Sequence, residues 1–225
     1  MLTVSHDPAV VELNLLVGRV ACPDCGGRLR PWGWARPRVI RDGLDTQWSG
    51  RSLRPRRSRC TICQVTHVLL EVRLAVRRAD TAEVIAAAIE AKTAFGHGHR
   101  KIAASCGRPV STVRGWLRAF ATSAALIGER FTGLLVRDAL DAVVLWPKPA
   151  CSIGGEALSV LMAYAEGLAR RFAATVTVTW IQAGIAATNG RLFCASWWAA
   201  APNTNRPLRQ ALAGGRVAAA PAISL

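Results

Sequence analysis

The sequence is short of acidic side chains and almost without lysine. It has 14 aspartate and glutamate residues against 29 lysine and arginine residues, and its formal net charge is +15. Lysine occurs only as Lys92, Lys101 and Lys148, which is in part a matter of genome composition. The excess of positive charge is compatible with a solvated surface that has no specific partner. It favours a polyanionic partner, and nucleic acid first of all.

Long apolar runs are also missing. The nearest to a membrane span, residues 172–188, is interrupted by threonines, a glutamine and a glycine. The first residues contain Asp7 and Glu12 instead of a basic segment followed by an apolar one, so no secretory leader is predicted. We therefore expect a protein without a membrane partner, located in the cytoplasm and associated with the nucleoid.

Side chains for catalysis are scarce in the second half of the chain. The carboxylates that follow residue 120 are Glu129, Asp138, Asp141, Glu156 and Glu166. All of them fall in segments with a helical pattern, whereas a transposase active site needs three carboxylates that converge on divalent metal from an RNase H-like core. All four histidines precede residue 100, so Cys151 and Cys194 have no histidine close in sequence to activate them. The sequence predicts no catalytic activity and shows no small-molecule substrate.

Cysteine, in contrast, is present in a paired arrangement. Four of the seven cysteines form two C-x-x-C pairs, Cys22 with Cys25 and Cys60 with Cys63. An odd total with this spacing argues against a secreted disulfide framework. Two tight turns that each present two thiolates supply the tetrahedral sulfur site that Zn²⁺ prefers, so we predict that these residues bind one Zn²⁺ ion. A redox role is the less favoured alternative, because no βαβ pattern follows either pair.

The segment between the two pairs, residues 26–59, exceeds the usual length of about 15–20 residues. We predict the strands of a zinc ribbon at residues 28–40 and 58–72, with a loop at residues 42–52 between them. His67 follows the second pair, and we expect it on the strand surface because four cysteines already complete the site.

The predicted ribbon is dense in arginine, and tryptophans lie between the arginines. Such a surface suits phosphate contact and stacking on bases or sugars. We expect Trp32 or Trp34 to pack in the small core of the ribbon, since alternate residues of a strand share a face. The predicted nucleic-acid contacts of the ribbon lie in residues 51–59 and are Arg54, Arg56 and Arg57.

A helix-turn-helix pattern follows the ribbon. A first helix is predicted at residues 81–94, with Asp80 and Glu83 as a capping pair, and a supporting helix at residues 100–106. A turn at residues 107–108 then leads to a recognition helix at residues 109–120, whose buried face has helical spacing. Gly107 suits the left-handed close of the supporting helix, and Pro109 suits the first position of the recognition helix. The outer face of the recognition helix enters the major groove in such motifs.

The predicted DNA contacts of this unit are basic or hydroxyl side chains. Arg114 is the expected base contact, because arginine can form two hydrogen bonds with guanine. Ser111 and Thr112 are expected to contact bases or phosphates near the start of the helix. The expected phosphate contacts are Arg100, Lys101, Arg108 and Arg118.

Together these motifs resemble an uncharacterised actinobacterial family that joins a zinc ribbon to a helix-turn-helix. The resemblance rests on Cys22-Pro-x-Cys25-Gly-Gly, Arg30-Pro-Trp-Gly-Trp, Cys60-x-x-Cys63, Thr66-His-Val-Leu-Leu, Arg100-Lys-Ile-Ala and Ser111-Thr-Val-Arg-Gly-Trp-Leu-Arg. The arrangement is also similar to the N-terminal DNA-binding half of insertion-sequence transposases. The resemblance implies zinc and DNA binding, but no defined reaction. Cys106 and Pro109 depart from it, since such motifs usually have leucine and a serine or threonine cap there.

The whole sequence predicts an α+β fold. It divides into a zinc ribbon with a lead-in at 1–78, a helix-turn-helix at 79–120, a mainly helical region at 121–198 and a loose tail at 199–225. We expect a protein that binds double-stranded DNA, transposase-derived or transcription-regulatory. The alternative is an interaction module that docks on a transposase or on transcription machinery, or that forms a homodimer. A third possibility is that the arginine-rich loop binds RNA.

Overall fold

A computed structural model of the protein describes residues 1–43, 49–142, 146–147, 149–172 and 178–194. They form an α+β fold in which a small β region is followed by helices, as the sequence predicts. The strands are β1 (Leu2–Val4), β2 (Leu29–Trp34), β3 (Arg38–Asp42), β4 (Ser49–Leu53), β5 (Arg56–Cys60) and β6 (Thr66–Glu71). The helices are α1 (Pro8–Leu16), α2 (Ala82–Thr93), α3 (His99–Ser105), α4 (Val110–Ala139), α5 (Ile153–Arg171) and α6 (Trp180–Ala187).

The ribbon is a four-stranded sheet in the order β1-β6-β5-β2. β5 is antiparallel to both of its neighbours, and β1 is parallel to β6. α1 begins at the cap Asp7, whose carboxylate accepts a hydrogen bond from the N–H of Ala9 at 2.8 Å. It contributes Val11 and Leu15 to a small core that includes Leu29 of β2 and Leu69 of β6.

A second pair of strands, β3 and β4, extends into both ends of the segment that was predicted to be a loop. β3 and β4 pair antiparallel, with Arg38 opposite Leu53 and Asp42 opposite Ser49. The predicted strand at 28–40 is therefore two strands, and the predicted loop at 42–52 is wrong for its last residues. The hairpin buries Ile40 completely in a cluster with residues that follow β6, so tertiary packing decides this structure rather than local pattern.

The helix-turn-helix prediction is accurate at its start and wrong at its end. α2 and α3 begin and end within one residue of the predicted bounds, and Gly107 has the expected left-handed φ of 60°. Pro109 is the N-cap of α4, with extended ψ of 140°, and not its first helical residue. The helix does not end at residue 120, because its buried seam continues through Ile127, Phe131 and Leu135 at helical spacing.

α5 packs along α4, and α6 packs on α5. α5 lies within the region predicted to be mainly helical, and it buries Leu158, Leu161 and Leu168. One core contains both Val113 and Leu161, so the predicted boundary between 120 and 121 separates neither helices nor cores. The predicted tail at 199–225 lies outside the described residues.

Among the described helices, α4 is the single one long and apolar enough to cross a membrane by length and composition. The core helix of a water-soluble protein passes the same test. α4 buries Phe131 and Leu135 completely in the helical core.

Candidate metal centre and nucleic-acid surfaces

The four paired cysteines meet at one end of the ribbon. Their sulfur atoms all lie within 4.8 Å of one another. The sulfur of Cys22 is 3.7 Å from that of Cys63, and the sulfur of Cys25 is 3.4 Å from that of Cys60. This confirms that the two C-x-x-C pairs form one cluster, and the cluster can hold a metal ion.

Backbone geometry brings the two pairs this close. Gly26 has a left-handed φ of 75°, which closes the first turn. At Gly27 an added Cβ would lie 2.9 Å from the sulfur of Cys60 and equally close to Ile62, so a side chain there would push the turns apart. In the second turn the N–H of Ile62 points at the sulfur of Cys60 at 3.3 Å.

These N–H groups also affect the charge of the cluster. Burial opposes ionisation of Cys60, but the N–H groups of Ile62 and Cys63, together with the neighbouring thiols, lower the pKa of Cys60 to about 6. Burial raises the pKa of the Cys22 thiol. Since the thiolate is the form that binds metal, the N–H groups of the second turn favour the charge state that a metal ligand needs.

His67 lies beside this cluster and not on the strand surface, so the sequence-based expectation is wrong. It pairs with the buried Ser58 and is itself only 3% exposed. Its Nε2 atom is 3.4 Å from the sulfur of Cys22 and 3.8 Å from a carboxylate oxygen of Asp24. Burial lowers the pKa of His67. The alternation of β6 could have revealed this position, because His67 shares a face with the buried Leu69.

Most of the predicted contacts of the helix-turn-helix lie on its outer surface. Ser111, Arg114 and Arg118 are spaced at i, i+3 and i+7, so they lie on one face of α4, opposite its buried seam. Arg114 also reaches α3, where its Nη2 is 3.0 Å from Nε2 of His99, and Lys101 Nζ is 3.1 Å from Nε2 of His97. The exposed members are Arg100, Lys101, Ser111, Arg114 and Arg118, and Thr112 is half-buried.

Arg108 is the exception, and its predicted phosphate contact is wrong. Its guanidinium is 1% exposed and pairs with Asp80 at 2.5 Å. It also donates hydrogen bonds to the carbonyl oxygens of Cys106 at 2.9 Å and Gly43 at 3.2 Å. Asp80 likewise does not cap α2, because the N-cap of α2 is Thr81. The carboxylate of Asp80 instead accepts hydrogen bonds from Arg108 and, at 2.7 Å, from Arg41. The buried pair of Arg108 and Asp80 is therefore connected to β3 through Arg41 and to the residue after β3 through the carbonyl of Gly43.

The ribbon arginines that were predicted to contact nucleic acid differ in how far they are exposed and in whether other side chains already bind them. Arg54 is exposed, and Arg57 is half-buried with its Nη2 3.3 Å from the hydroxyl of Thr66. Arg56 is occupied within the fold, because it pairs with Glu12 of α1 at 2.6 Å and donates to the carbonyl of Gly33 at 2.9 Å. Its predicted contact with nucleic acid therefore conflicts with the structure.

The tryptophans of β2 are not core residues, contrary to expectation. Trp32 is 51% exposed and Trp34 is 49% exposed. Each ring has an arginine guanidinium over it: that of Arg59 is 4.5 Å from the Trp32 ring centroid, and that of Arg56 is 4.8 Å from the Trp34 ring. Both contacts have the geometry of a cation–π interaction.

Comparisons of the chain with protein-family models, with curated proteins and with solved structures found no significant match. The resemblance to a zinc-ribbon and helix-turn-helix family thus stays a prediction from motifs. The side chains and their geometry are what bear on the function of this protein.

Proposed function

We propose that the protein binds double-stranded DNA through its helix-turn-helix, has a structural Zn²⁺ in its ribbon and catalyses no reaction. The observation that carries this proposal is the exposed basic and hydroxyl surface of α3 and the start of α4. In a chain with a net charge of +15, this surface lies where a helix-turn-helix meets the major groove. Such a protein would work on the nucleoid in the cytoplasm, as a transcription regulator or a transposase derivative.

Zinc is the metal that the cysteine cluster fits best. A tetrahedron with Zn–S bonds of about 2.3 Å has sulfur atoms about 3.8 Å apart. The separations of 3.4 and 3.7 Å are close to that value. Four sulfur ligands leave no open position for a reacting water, which is the pattern of structural zinc sites. His67 would then support the sulfur of Cys22 from outside the ligand set.

The surface around Arg114 divides into two expected roles. Arg114 points away from the core in the first turns of α4, the part of a recognition helix that meets base edges. Lys101 and Arg100 lie on α3, which in this motif crosses the DNA backbone, so they are placed to contact phosphate. The second part of the proposal is therefore that Arg114 discriminates between sequences and Lys101 does not.

The test uses a duplex selected by the full chain from a random pool, with a shuffled duplex for comparison. Arg114→Ala should reduce the preference for the selected duplex by about 5- to 150-fold, whereas Lys101→Ala should weaken both duplexes and lower the salt slope by about one unit. Arg171→Ala is the control, since that exposed arginine of α5 pairs with Asp141. Failure of the full chain to retard any duplex at low salt would eliminate the proposal.

A protein-interaction module is the second candidate, and α1 favours it. Its outer side exposes Leu13, Leu16 and Val17 at 55%, 66% and 48%. Adjacent exposed apolar side chains mark a contact surface more often than isolated ones do. The test is the mass of the protein in light scattering, measured without DNA. A mass above that of a monomer, which falls to the monomer mass in Leu16→Ser, would support this function.

A further inference from the structure

The outer face of the ribbon combines arginines with one exposed tryptophan. Arg30 pairs with Arg59, and Arg59 with Thr66, so these side chains of β2, β5 and β6 lie on the same face. Trp32 and Arg57 join them, each two residues along its strand. The opposite face contains Leu29, Ser58 and Cys60, which are fully or almost fully buried.

Trp32 is held in one orientation although half of it is exposed. The guanidinium of Arg59 lies over its ring at 4.5 Å, and Nε of Arg59 donates to the carbonyl of Gln64 at 3.2 Å. Arg57 is likewise tethered to the hydroxyl of Thr66. A base that stacks on Trp32 must use the ring face that Arg59 does not cover, and an indole restrained by this contact loses little further side-chain entropy on binding.

A β-bulge in β2 places Trp34 on the opposite face of the sheet from Trp32. The register shifts between Pro31, which pairs with Ser58, and Trp34, which pairs with Arg56. Gly33, with a left-handed φ of 100°, is the residue that permits the shift. Arg56 shares its face with Ser58 and contacts Glu12 of α1, so Trp34 lies on the α1 side of the sheet.

We propose that this outer face, formed by Arg30, Trp32, Arg57 and Arg59, binds an unpaired nucleic-acid strand. A base stacks on Trp32, and the three arginines attract the phosphates on either side of it. Stacking accepts every base, and in a duplex the bases already stack on one another, so this face selects unpaired strands without sequence preference. The proposal goes beyond duplex recognition by the helix-turn-helix and does not depend on it.

The structure supplies a matched pair of variants for the test. Trp32 and Trp34 have nearly the same exposure and the same kind of arginine contact, but they lie on opposite faces. Binding of the full chain to fluorescently labelled dT15 is measured by anisotropy at several salt concentrations. Trp32→Ala should weaken binding by about 5- to 150-fold, the range for loss of one base stack. Trp32→Phe should recover most of that loss, and Trp34→Ala should stay within about twofold of the natural protein.

Several results would overturn the proposal: dT15 that is not bound at low salt, equal losses in the two tryptophan variants, or an unchanged Trp32→Ala. Zinc content and circular dichroism establish that each variant is folded. A parallel titration with rU15 distinguishes RNA from DNA as the bound strand. If an acidic peptide bound this face and neither oligonucleotide displaced it, the face would be assigned to a protein partner instead.

The same variants separate this inference from the proposed duplex function. Trp32→Ala should reduce dT15 binding and leave the selected duplex unaffected, while Arg114→Ala should do the reverse. Duplex binding without dT15 binding would refute the ribbon proposal alone. Binding of dT15 without binding of any duplex would refute the helix-turn-helix proposal and leave the ribbon proposal standing.

Discussion

The ribbon and the helical region differ in what their cores are made of. The ribbon core rests on few apolar side chains, and two of its buried members are the cluster cysteines Cys22 and Cys60. The helical core runs without a break from α2 to α6 and includes bulky residues such as Phe131 and Leu161. A small core seldom outweighs the entropy of folding unaided, whereas a large one can. Metal should therefore matter for the stability of the ribbon and not for that of the helical region.

Metal removal is the strongest way to test this contrast. Chelation should unfold the ribbon and leave α2 to α6 folded, because zinc binding contributes about 10–16 kcal/mol in small zinc domains. Hydrogen exchange should then show lost protection from β1 to β6, including α1, and retained protection in α2 to α6. Acidification should act in the same direction, since protons compete with the metal for the thiolates.

The variant Cys60→Ser sharpens that test, with Cys151→Ser, an exposed cysteine outside the cluster, as its control. The first should lose the metal and the second should retain one ion per chain, as measured by native mass spectrometry. Protection of the ribbon amides in the metal-free protein would contradict the expected dependence of the ribbon on metal.

Phe131→Ala tests the helical side. The ring is fully buried and meets Tyr164 edge-on, with centroids 5.4 Å apart. Its loss should lower the free energy of unfolding of the helical region by about 3–5 kcal/mol, as measured by urea titration. Zinc content should not change. Leu126→Ala, at a site on the same helix that is 38% exposed, should cost much less.

Asp80→Asn tests the link between the two regions. The side chains of Asp80 and Arg108 are 2% and 1% exposed, so Asp80→Asn removes a buried negative charge from beside a buried guanidinium. We expect a loss of about 3 kcal/mol and a separation of the unfolding of the ribbon from that of the helices. Asp141→Asn removes a surface pair, in which the aspartate is 74% exposed, and should change stability by at most about 0.5 kcal/mol. A single shared transition in Asp80→Asn would show that other contacts couple the regions.

The smallest effect is expected at two helical glycines. Gly133 of α4 has open space around it, so Gly133→Ala should raise stability by about 1 kcal/mol through helix propensity. Gly167 of α5 faces Ala139, where a new Cβ would be 2.9 Å from the Cβ of that residue. Gly167→Ala should therefore destabilise the α4-α5 contact, and thermal unfolding of the two variants should move in opposite directions.

The features predicted correctly from the sequence are those that depend on residues close together in the chain. The spacing of the cysteine pairs identified the cluster, and the helical spacing of apolar residues identified the start of α4. Gly107 was predicted correctly, because a tight turn between helices needs a left-handed residue whatever surrounds it.

The errors share a different cause, which is contact between distant parts of the chain. Arg108 looked like a phosphate contact because its burial depends on Asp80 and on the carbonyl of Gly43, far from it in sequence. The ribbon tryptophans looked like core residues because the small core is filled by α1 instead. Arg56 is occupied for the same reason, since its partner Glu12 also belongs to α1.

The length of α4 has a consequence for the inheritance of this protein. Its 30 residues span about 45 Å as one rod, with Arg114 near one end and the α5 contact along the other. A recombination event that joined residues 1–120 to another partner would cut this rod and remove its attachment to the helical core. The basic surface around Arg114 and the helical half should therefore have passed from ancestor to descendant together, unlike modules that are separated by a linker.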